Sequence, residues 1–447
     1  MVSQPAPPPT PSLAARPGAL AALTSTPRRK HTAYLAVVAR TFRGNLARLV
    51  AMVALTTISI ALVTGVGVLA PRIRDSVAAA QSAIHPTSGD AATAHDSAYS
   101  FQYMLFVADG VERISYVFPM IFAAVTALVV YMTITRLVTS ERAQIGCLKT
   151  LGYSRRHILA KYVPFTAVGC AVGGGLGLLV GYTLVNPVLF AAVRDNADLP
   201  EVGHVVPVLG FVSAAAILVL MVVVTFGAAH MMAREQPTFL LTGLPPKGGG
   251  HVPLERLGWA WRRLAYKHKS TLRNILRYRV RLVMTVSSML VSTALVFCGL
   301  ALSFSLGATG DPTLEDTIRP ISAVIVIAAI LLNTVVVYNI TNINIEERAR
   351  EIATLKVLGY RDGEVVGYVF REILALTIIG VLVGLPAGWA AMRFIFNFLQ
   401  FGSIDQVGWY VWPFTAALAL ASLGLADLLL FRKLLGTDMN GSLKTID

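Results

Sequence analysis

The chain has 447 residues, 55% of them hydrophobic and 14% charged, with a formal net charge of +14. So apolar a composition, broken into runs near twenty residues, excludes an ordinary soluble domain and indicates an all-α polytopic membrane protein. A charge of +14 would suit nucleic acid, but its placement along the chain argues against that partner.

Residues 1–30 are rich in Pro, Ala and Ser and end in Arg28-Arg29-Lys30, the composition of a disordered tail. They do not read as a signal peptide, because the first apolar run starts late and is long enough to span. Residues 34–49 carry Leu35, Val38, Phe42, Leu46 and Leu49 at helical spacing, which predicts an amphipathic helix in the headgroup region. Leu257, Trp261, Leu264, Leu272 and Ile275 form a similar stripe ahead of the second half of the chain.

Eight spans are predicted, at about 49–70, 114–135, 162–190, 206–229, 282–304, 320–342, 369–397 and 411–431. With the N-terminus in the cytosol, 32 of the 38 Lys and Arg fall on the cytosolic side; the other six are Arg72, Arg74, Arg113, Arg194, Arg319 and Arg393. This asymmetry is the positive-inside signature, and it predicts a cell-membrane protein with both termini cytoplasmic. The expected organisation is a disordered cytosolic tail (1–30), a first four-span repeat (31–235), a cytosolic linker broken by Pro237, Pro245, Pro246 and Gly248–Gly250 (236–256), and a second four-span repeat (257–447). With four spans each, the two repeats run in parallel.

The outer connection 71–113 is much longer than its counterpart 305–319. It is polar, contains Pro71, Pro86 and Gly89, and is expected to be only partly ordered and too short for a large domain. Trp409, Tyr410 and Trp412 cluster at the outer mouth of the last span, as an interfacial belt would.

A short polar segment occurs twice between spans. One copy is Glu141-Arg142-Ala143-Gln144-Ile145-Gly146-Cys147-Leu148-Lys149-Thr150-Leu151-Gly152-Tyr153. The other is Glu347-Arg348-Ala349-Arg350-Glu351-Ile352-Ala353-Thr354-Leu355-Lys356-Val357-Leu358-Gly359-Tyr360. Gly359 follows Gly152 by 207 residues (359 − 152), and the Glu-Arg pairs align with a one-residue gap. Ile145, Leu148 and Leu151 recur at helical spacing, as do Ile352, Leu355 and Leu358. Gly152 and Gly359 read as helix terminators, with Ser154 and Asp362 placed to cap the next helix. Each copy is a cytosolic elbow with one apolar edge; a solvated connector would not need the same edge twice.

The duplication extends into the spans. Gly173, Gly177 and Gly181 match Gly380, Gly384 and Gly388 at the same offset, a spacing that lines one helix face with small residues and admits close helix packing. Arg48-Leu49-Val50 matches Arg281-Leu282-Val283 at an offset of 233 (281 − 48), the excess lying in the long outer loop.

Chemistry is conspicuously missing. There is no phosphate-binding loop, no His-Glu-x-x-His and no metal-ligand spacing, so no catalytic residue, cofactor or metal is expected. The three cysteines, Cys147, Cys170 and Cys298, read as small apolar fillers. An ionisable group at mid-membrane costs about 2.5–3.5 kcal/mol and would suggest ion coupling, but none is placed there. Asn333 is the most central strongly polar side chain, explained by an interhelical hydrogen bond.

The segment Arg348–Gly359 resembles the signature of FtsX-like (MacB-type) ABC transporter permeases. Thr271-Leu272-Arg273-Asn274-Ile275-Leu276-Arg277 resembles that family's lead-in helix, and Asp438-Met439-Asn440-Gly441-Ser442-Leu443-Lys444 its C-terminal ending. The resemblance covers about 34–235 and 264–447 and is weaker in the first part, where Gln144 replaces an expected Glu. It implies a non-enzymatic permease subunit, with ATP hydrolysis in a separate cytosolic ATPase dimer that binds one subunit per repeat. The segments after Ile145 and Ile352, through Ile158 and Val365, would be coupling helices. Ile145, Leu148, Leu151, Gly152 and Ile158 would form the first docking surface, and Glu351, Ile352, Leu355, Leu358, Gly359 and Val365 the second. The implied function is export or mechanical transmission across the membrane. Many members carry a large extracytoplasmic domain where this chain has only 71–113. That leaves substrate recognition to an extracytoplasmic partner, to the membrane-embedded surface, or to neither. Two other readings stand beside this one: a non-transporting regulator relaying ATPase state to an envelope enzyme, and a parallel-repeat secondary transporter.

Overall fold

A computed structural model of the chain describes residues 41–42, 44–83, 91–197, 200, 208–236, 238, 279–306, 312–347, 352, 354, 357–360, 362–399 and 402–435. The tail 1–30, half of the 34–49 segment, the stripe from Leu257, the lead-in segment Thr271–Arg277 and the C-terminal ending lie outside those residues, as does all of the linker but two positions. Backbone packing divides the chain after Leu46. In the short unit before that point, Asn45 Nδ2 donates to the Thr41 carbonyl at 2.9 Å. Both sets of four spans belong to the other unit, Ala47–Asp447.

Among the described residues that unit is built from helices and contains no strand. In chain order they are α1 (Leu46–Gly67), α2 (Leu69–Ala83), α3 (Ala91–Ser140), α4 (Arg142–Thr150), α5 (Arg155–Val180), a π-helical turn (Gly181–Val185), α6 (Asn186–Ala197), α7 (Val208–Ala233), α8 (Arg279–Leu306), α9 (Pro312–Glu347), α10 (Asp362–Leu399), a 3₁₀ turn (Ile404–Gln406) and α11 (Val411–Leu435). Among the described residues, eight helical stretches are long and apolar enough to cross a bilayer. Large apolar side chains such as Leu179, Val219, Val223, Ile327, Leu382 and Phe394 remain exposed around the outside, as a lipid-facing belt requires.

The helices overrun a membrane. The 50 residues of α3 extend about 75 Å at 1.5 Å per residue, more than twice a hydrocarbon core of about 30 Å. This corrects the expectation of a partly ordered outer loop: residues 69–83 and 91–113 are helical. Ile73 and Val77 on α2, with Met104, Val107, Ala108 and Val111 on α3, are buried in the core. Their spacing is a helical stripe that the polar composition of 71–113 concealed. Pro71 does not end the first span. It lies at the third position of α2, where a missing N–H costs little, and the bonds Val68 N–H to Thr64 O (3.4 Å) and Arg72 N–H to Val68 O (3.3 Å) carry the rod across the break.

Two glycine stripes set the closest approaches. A Cβ on Gly173 would lie 2.7 Å from the Val53 carbonyl oxygen, one on Gly177 2.9 Å from that of Thr57, and one on Gly181 2.7 Å from that of Ala61. In the second set, a Cβ on Gly380 would sit on Met289 and 3.4 Å from the Val286 oxygen. One on Gly384 would be 2.9 Å from the Leu290 oxygen, and one on Gly388 2.8 Å from Phe297 Cβ and 3.1 Å from Ala294 Cα. Val53, Thr57 and Ala61 become Val286, Leu290 and Ala294 on adding 233. The two offsets read from the sequence thus recur as one packing arrangement, α5 on α1 and α10 on α8. Thr57 Oγ1 adds a hydrogen bond to the Gly173 carbonyl at 3.1 Å.

The two sets meet along α3 and α9. Asn339 Nδ2 donates to Thr133 Oγ1 at 2.8 Å, both buried, 206 residues apart. At the 207-residue offset the counterpart of Thr133 is Ile340, one position from Asn339, so near-equivalent positions of the two sets meet beside the local pseudo-twofold axis. Farther along α9, Asn333 Nδ2 donates to Ser422 Oγ of α11 at 2.6 Å, the interhelical bond expected of it.

At the end of the bundle away from the elbows, Arg72 is buried and donates to Asn186 Oδ1 at 2.7 Å, with its guanidinium over the Phe190 ring. Asn186 Nδ2 in turn donates to the Gly65 carbonyl at 3.2 Å. The π turn ahead of Asn186 sets its register toward α1 and α2. Asn186→Ala is expected to destabilise the fold by about 1.5–3 kcal/mol, the range for a hydrogen bond to a charged group, read as a lower unfolding midpoint in detergent. Also at this end, Arg113 Nη1 donates to the Leu399 carbonyl at 3.0 Å, joining α3 to α10. Trp409 is exposed, whereas Trp412 packs edge-on against Phe297 and Tyr410 against Phe304. The aromatic group is therefore part belt and part core.

Candidate functional site

Both elbows lie at one end of the bundle, because the ends of α3 and α9 meet there. Arg136 of α3 pairs with Glu347 of α9. Arg48 of α1 pairs with Glu346 at 2.6 Å.

The first elbow is a bent continuation of α3. Glu141 N–H bonds to Leu137 O and Ile145 N–H to Glu141 O, both at 3.1 Å, and α4 follows. It ends in a Schellman arrangement: Gly152 N–H bonds to Lys149 O and Tyr153 N–H to Leu148 O, each at 3.0 Å, with Gly152 at φ +82. Only glycine takes that φ without strain. Ser154 occupies the N-cap of α5 in extended backbone but makes no side-chain cap bond, a departure from the expected role. Arg155 follows at once as the first residue of α5.

The side chains of this elbow divide by direction. Ile145 is 2% exposed and Ile158 3%, so both point into the bundle. Leu148 is half-buried, whereas Leu151 is 69% exposed with Gly152 and Tyr153 beside it. The base is held by charge. The Glu141 carboxylate accepts from Lys161 Nζ at 2.7 Å and from Tyr162 OH at 2.8 Å, and both donors are buried on α5. Lys149 Nζ donates to the Glu235 carbonyl beyond α7. Burial, then the nearby Arg155, lower the Lys149 ammonium from its ordinary value, with Glu235 acting the other way.

The second elbow repeats this division where it is described. Ile352 is 1% exposed, Leu358 is 70% exposed, and Leu358 N–H bonds to Thr354 O at 3.0 Å. Gly359 has φ +87. Glu351 and Leu355 lie outside the described residues, and for Val365 only its place in α10 is described. The described part of α10 starts at Asp362. Motif reading passed over the polar partners of the elbows: Lys161, Tyr162, Arg48 and Arg136. Their one legible signal was position, since each charged group lies within a turn or two of a span end, where an unpaired charge is costly.

The FtsX-like permease C-terminal domain model matches this chain twice, over residues 116–237 and 323–438. The chain belongs to the FtsX-like permease family. The two matches begin 207 residues apart, the offset of the elbows and of the glycine stripes. It is therefore a multi-pass membrane subunit of the ABC transporter permease type, from a family whose members are usually non-catalytic and partner an ABC ATPase. No curated protein and no solved structure matches the chain.

Proposed function

We propose that this permease couples a separate cytosolic ABC ATPase dimer to export or mechanical transmission across the cell membrane. In this reading 31–235 and 257–447 are the two permease repeats, 236–256 links them, and both termini are cytoplasmic. One ATPase subunit docks on each elbow, and ATP hydrolysis belongs to that partner. The buried residues Ile145, Ile158 and Ile352 anchor the elbows to the spans, and the exposed Leu151 and Leu358 enter the partner's grooves. Leu148, Leu355 and Val365 complete the apolar edge, and Glu351 lies beside it.

The observation that carries this reading is the pair of matched elbows at one end of the bundle, each with an isoleucine inside and a leucine outside. A solvated connector has no reason to expose a leucine at the same position twice. The charge asymmetry, 32 of 38 Lys and Arg on the elbow side, supports a cytosolic location for that end. Closure of an ATPase dimer would drive the elbows together and shift a two-state helix bundle.

The test is purification of the tagged permease from its own cells in mild detergent. A nucleotide hydrolase is expected to co-purify in near-stoichiometric amount and to be stimulated by the permease. Permease that isolates alone and works on an ion gradient would refute the proposal.

A further inference from the structure

Among the described residues the two elbows make different polar attachments. The first is tied to its own four spans: Glu141 to Lys161 and Tyr162 on α5, and Lys149 to the Glu235 carbonyl beyond α7. The second is preceded by two acids, and both reach across the pseudo-twofold axis, Glu346 to Arg48 and Glu347 to Arg136. Asn342 Nδ2 donates to Glu346 Oε1 at 3.1 Å and steadies that carboxylate. The two arginine side chains are 7% and 13% exposed and their glutamate partners 33% and 29%, so the pairs are partly shielded from water and partly screened.

The asymmetry is written in the sequence. Glu346 corresponds to Ser140 or Thr139 and Arg136 to Asn342 or Ile343, under the 206- and 207-residue relations respectively, and none of these is charged. The crossing pairs therefore cannot form a second time. Under the 207-residue relation, Lys161 and Tyr162 correspond to Tyr368 and Val369. At these two positions α10 therefore lacks the lysine and tyrosine that take Glu141 on α5. Each acid has gone to the side where its cation lies.

We propose that the elbows are mechanically inequivalent: Glu346 and Glu347 latch the second elbow to the opposite four spans through Arg48 and Arg136, whereas Glu141 fixes the first elbow to its own. Resting on the coupling role proposed above, this means that force at the second elbow must open two ion pairs between the halves. Force at the first elbow is carried directly into α5. Arg48, Arg136, Glu346 and Glu347 are positioning residues for that stroke.

The test uses the full-length permease alone in nanodiscs, in a Cys147→Ser background, because Cys147 is the exposed cysteine and Cys170 and Cys298 are buried. Spin labels go on exposed positions. Leu358→Cys with Met231→Cys reports the second elbow against the first four spans, and Leu151→Cys with Met231→Cys reports the first elbow within its own set. Glu346→Gln with Glu347→Gln is expected to replace the single Leu358–Met231 distance by a broad distribution and to leave Leu151–Met231 unchanged. Glu141→Gln is expected to do the reverse. Arg136→Glu alone should broaden the first distance, and Arg136→Glu with Glu347→Arg should restore it. The exchanged pair keeps both charges together and so decides the matter even if the neutral variants fail to assemble.

Variants that do not separate the two distances, or an exchanged pair that does not restore the wild-type distance, overturn the proposal. No ATPase is in the sample, so that failure would leave the docking reading standing. Absence of a co-purifying hydrolase would instead remove docking without altering these distances.

Discussion

Gly177→Leu is expected to prevent assembly of the permease, and Gly175→Leu, two residues away on the same helix, to leave it intact. A Cβ at Gly177 would lie 2.9 Å from both the Thr57 carbonyl oxygen and Ile60 Cβ, whereas one at Gly175 meets nothing within 4 Å. The Thr57 oxygen is backbone inside α1, so it cannot swing aside as a side-chain tip would. Relief requires α5 to move off α1, which also strips the contacts of Gly173 and Gly181 along the same face. Overpacking of this kind costs about 1–3 kcal/mol and more where backbone is the obstacle. In a membrane protein no hydrophobic driving force between helices compensates. The measurement is the monodisperse fraction after mild heating, by size-exclusion chromatography. Gly384→Leu should fail as Gly177→Leu does, because its Cβ meets the Leu290 oxygen and Thr293 Cβ, each at 2.9 Å. Equal behaviour of the Gly175 and Gly177 variants would refute the close-approach account of the stripe.

The second large effect concerns docking. Leu151→Asp together with Leu358→Asp should abolish recovery of the co-purifying ATPase while leaving the permease folded. Both side chains are about 70% exposed, so an aspartate there disturbs no core and finds water freely. In a partner's groove the same charge must be desolvated. Apolar anchors of this kind are worth about 2 kcal/mol or more each, roughly thirtyfold in affinity per elbow. In the proposed complex one partner dimer grips both elbows, so the losses would compound. The readout is the ATPase-to-permease ratio after affinity capture, with the melting profile as the check on folding. Ile145→Asp makes the opposite comparison: the residue is 2% exposed, so folding should fail along with docking. Full retention of the ATPase by the double variant would show that the exposed leucines are not the contact.

Much of this architecture was legible because the bilayer simplifies the code. Each of the eight spans announced itself as an apolar run, and the family emerged from the Arg348–Gly359 segment. The glycine triplets were legible as packing faces because four-residue spacing on a helix has one geometric meaning. The outer connection was misread for a related reason. Polarity suggested a loose loop, but Ile73, Val77, Met104, Val107, Ala108 and Val111 bury a helical stripe within it.

The sequence by itself determined the number of spans, the duplication with its offsets of 207 and 233, and the places where glycine must stand. These depend on local periodicity and on identity between two copies of one pattern, and both are visible along a line. Only the tertiary structure decided which side of each elbow faces out, and which acid finds which cation. Glu141 and Glu347 are counterparts, yet one closes on Lys161 twenty residues away and the other on Arg136 across the pseudo-twofold axis. Ion pairing depends on where side chains meet in space, and helices brought together by packing set those meetings without regard to the order of the chain.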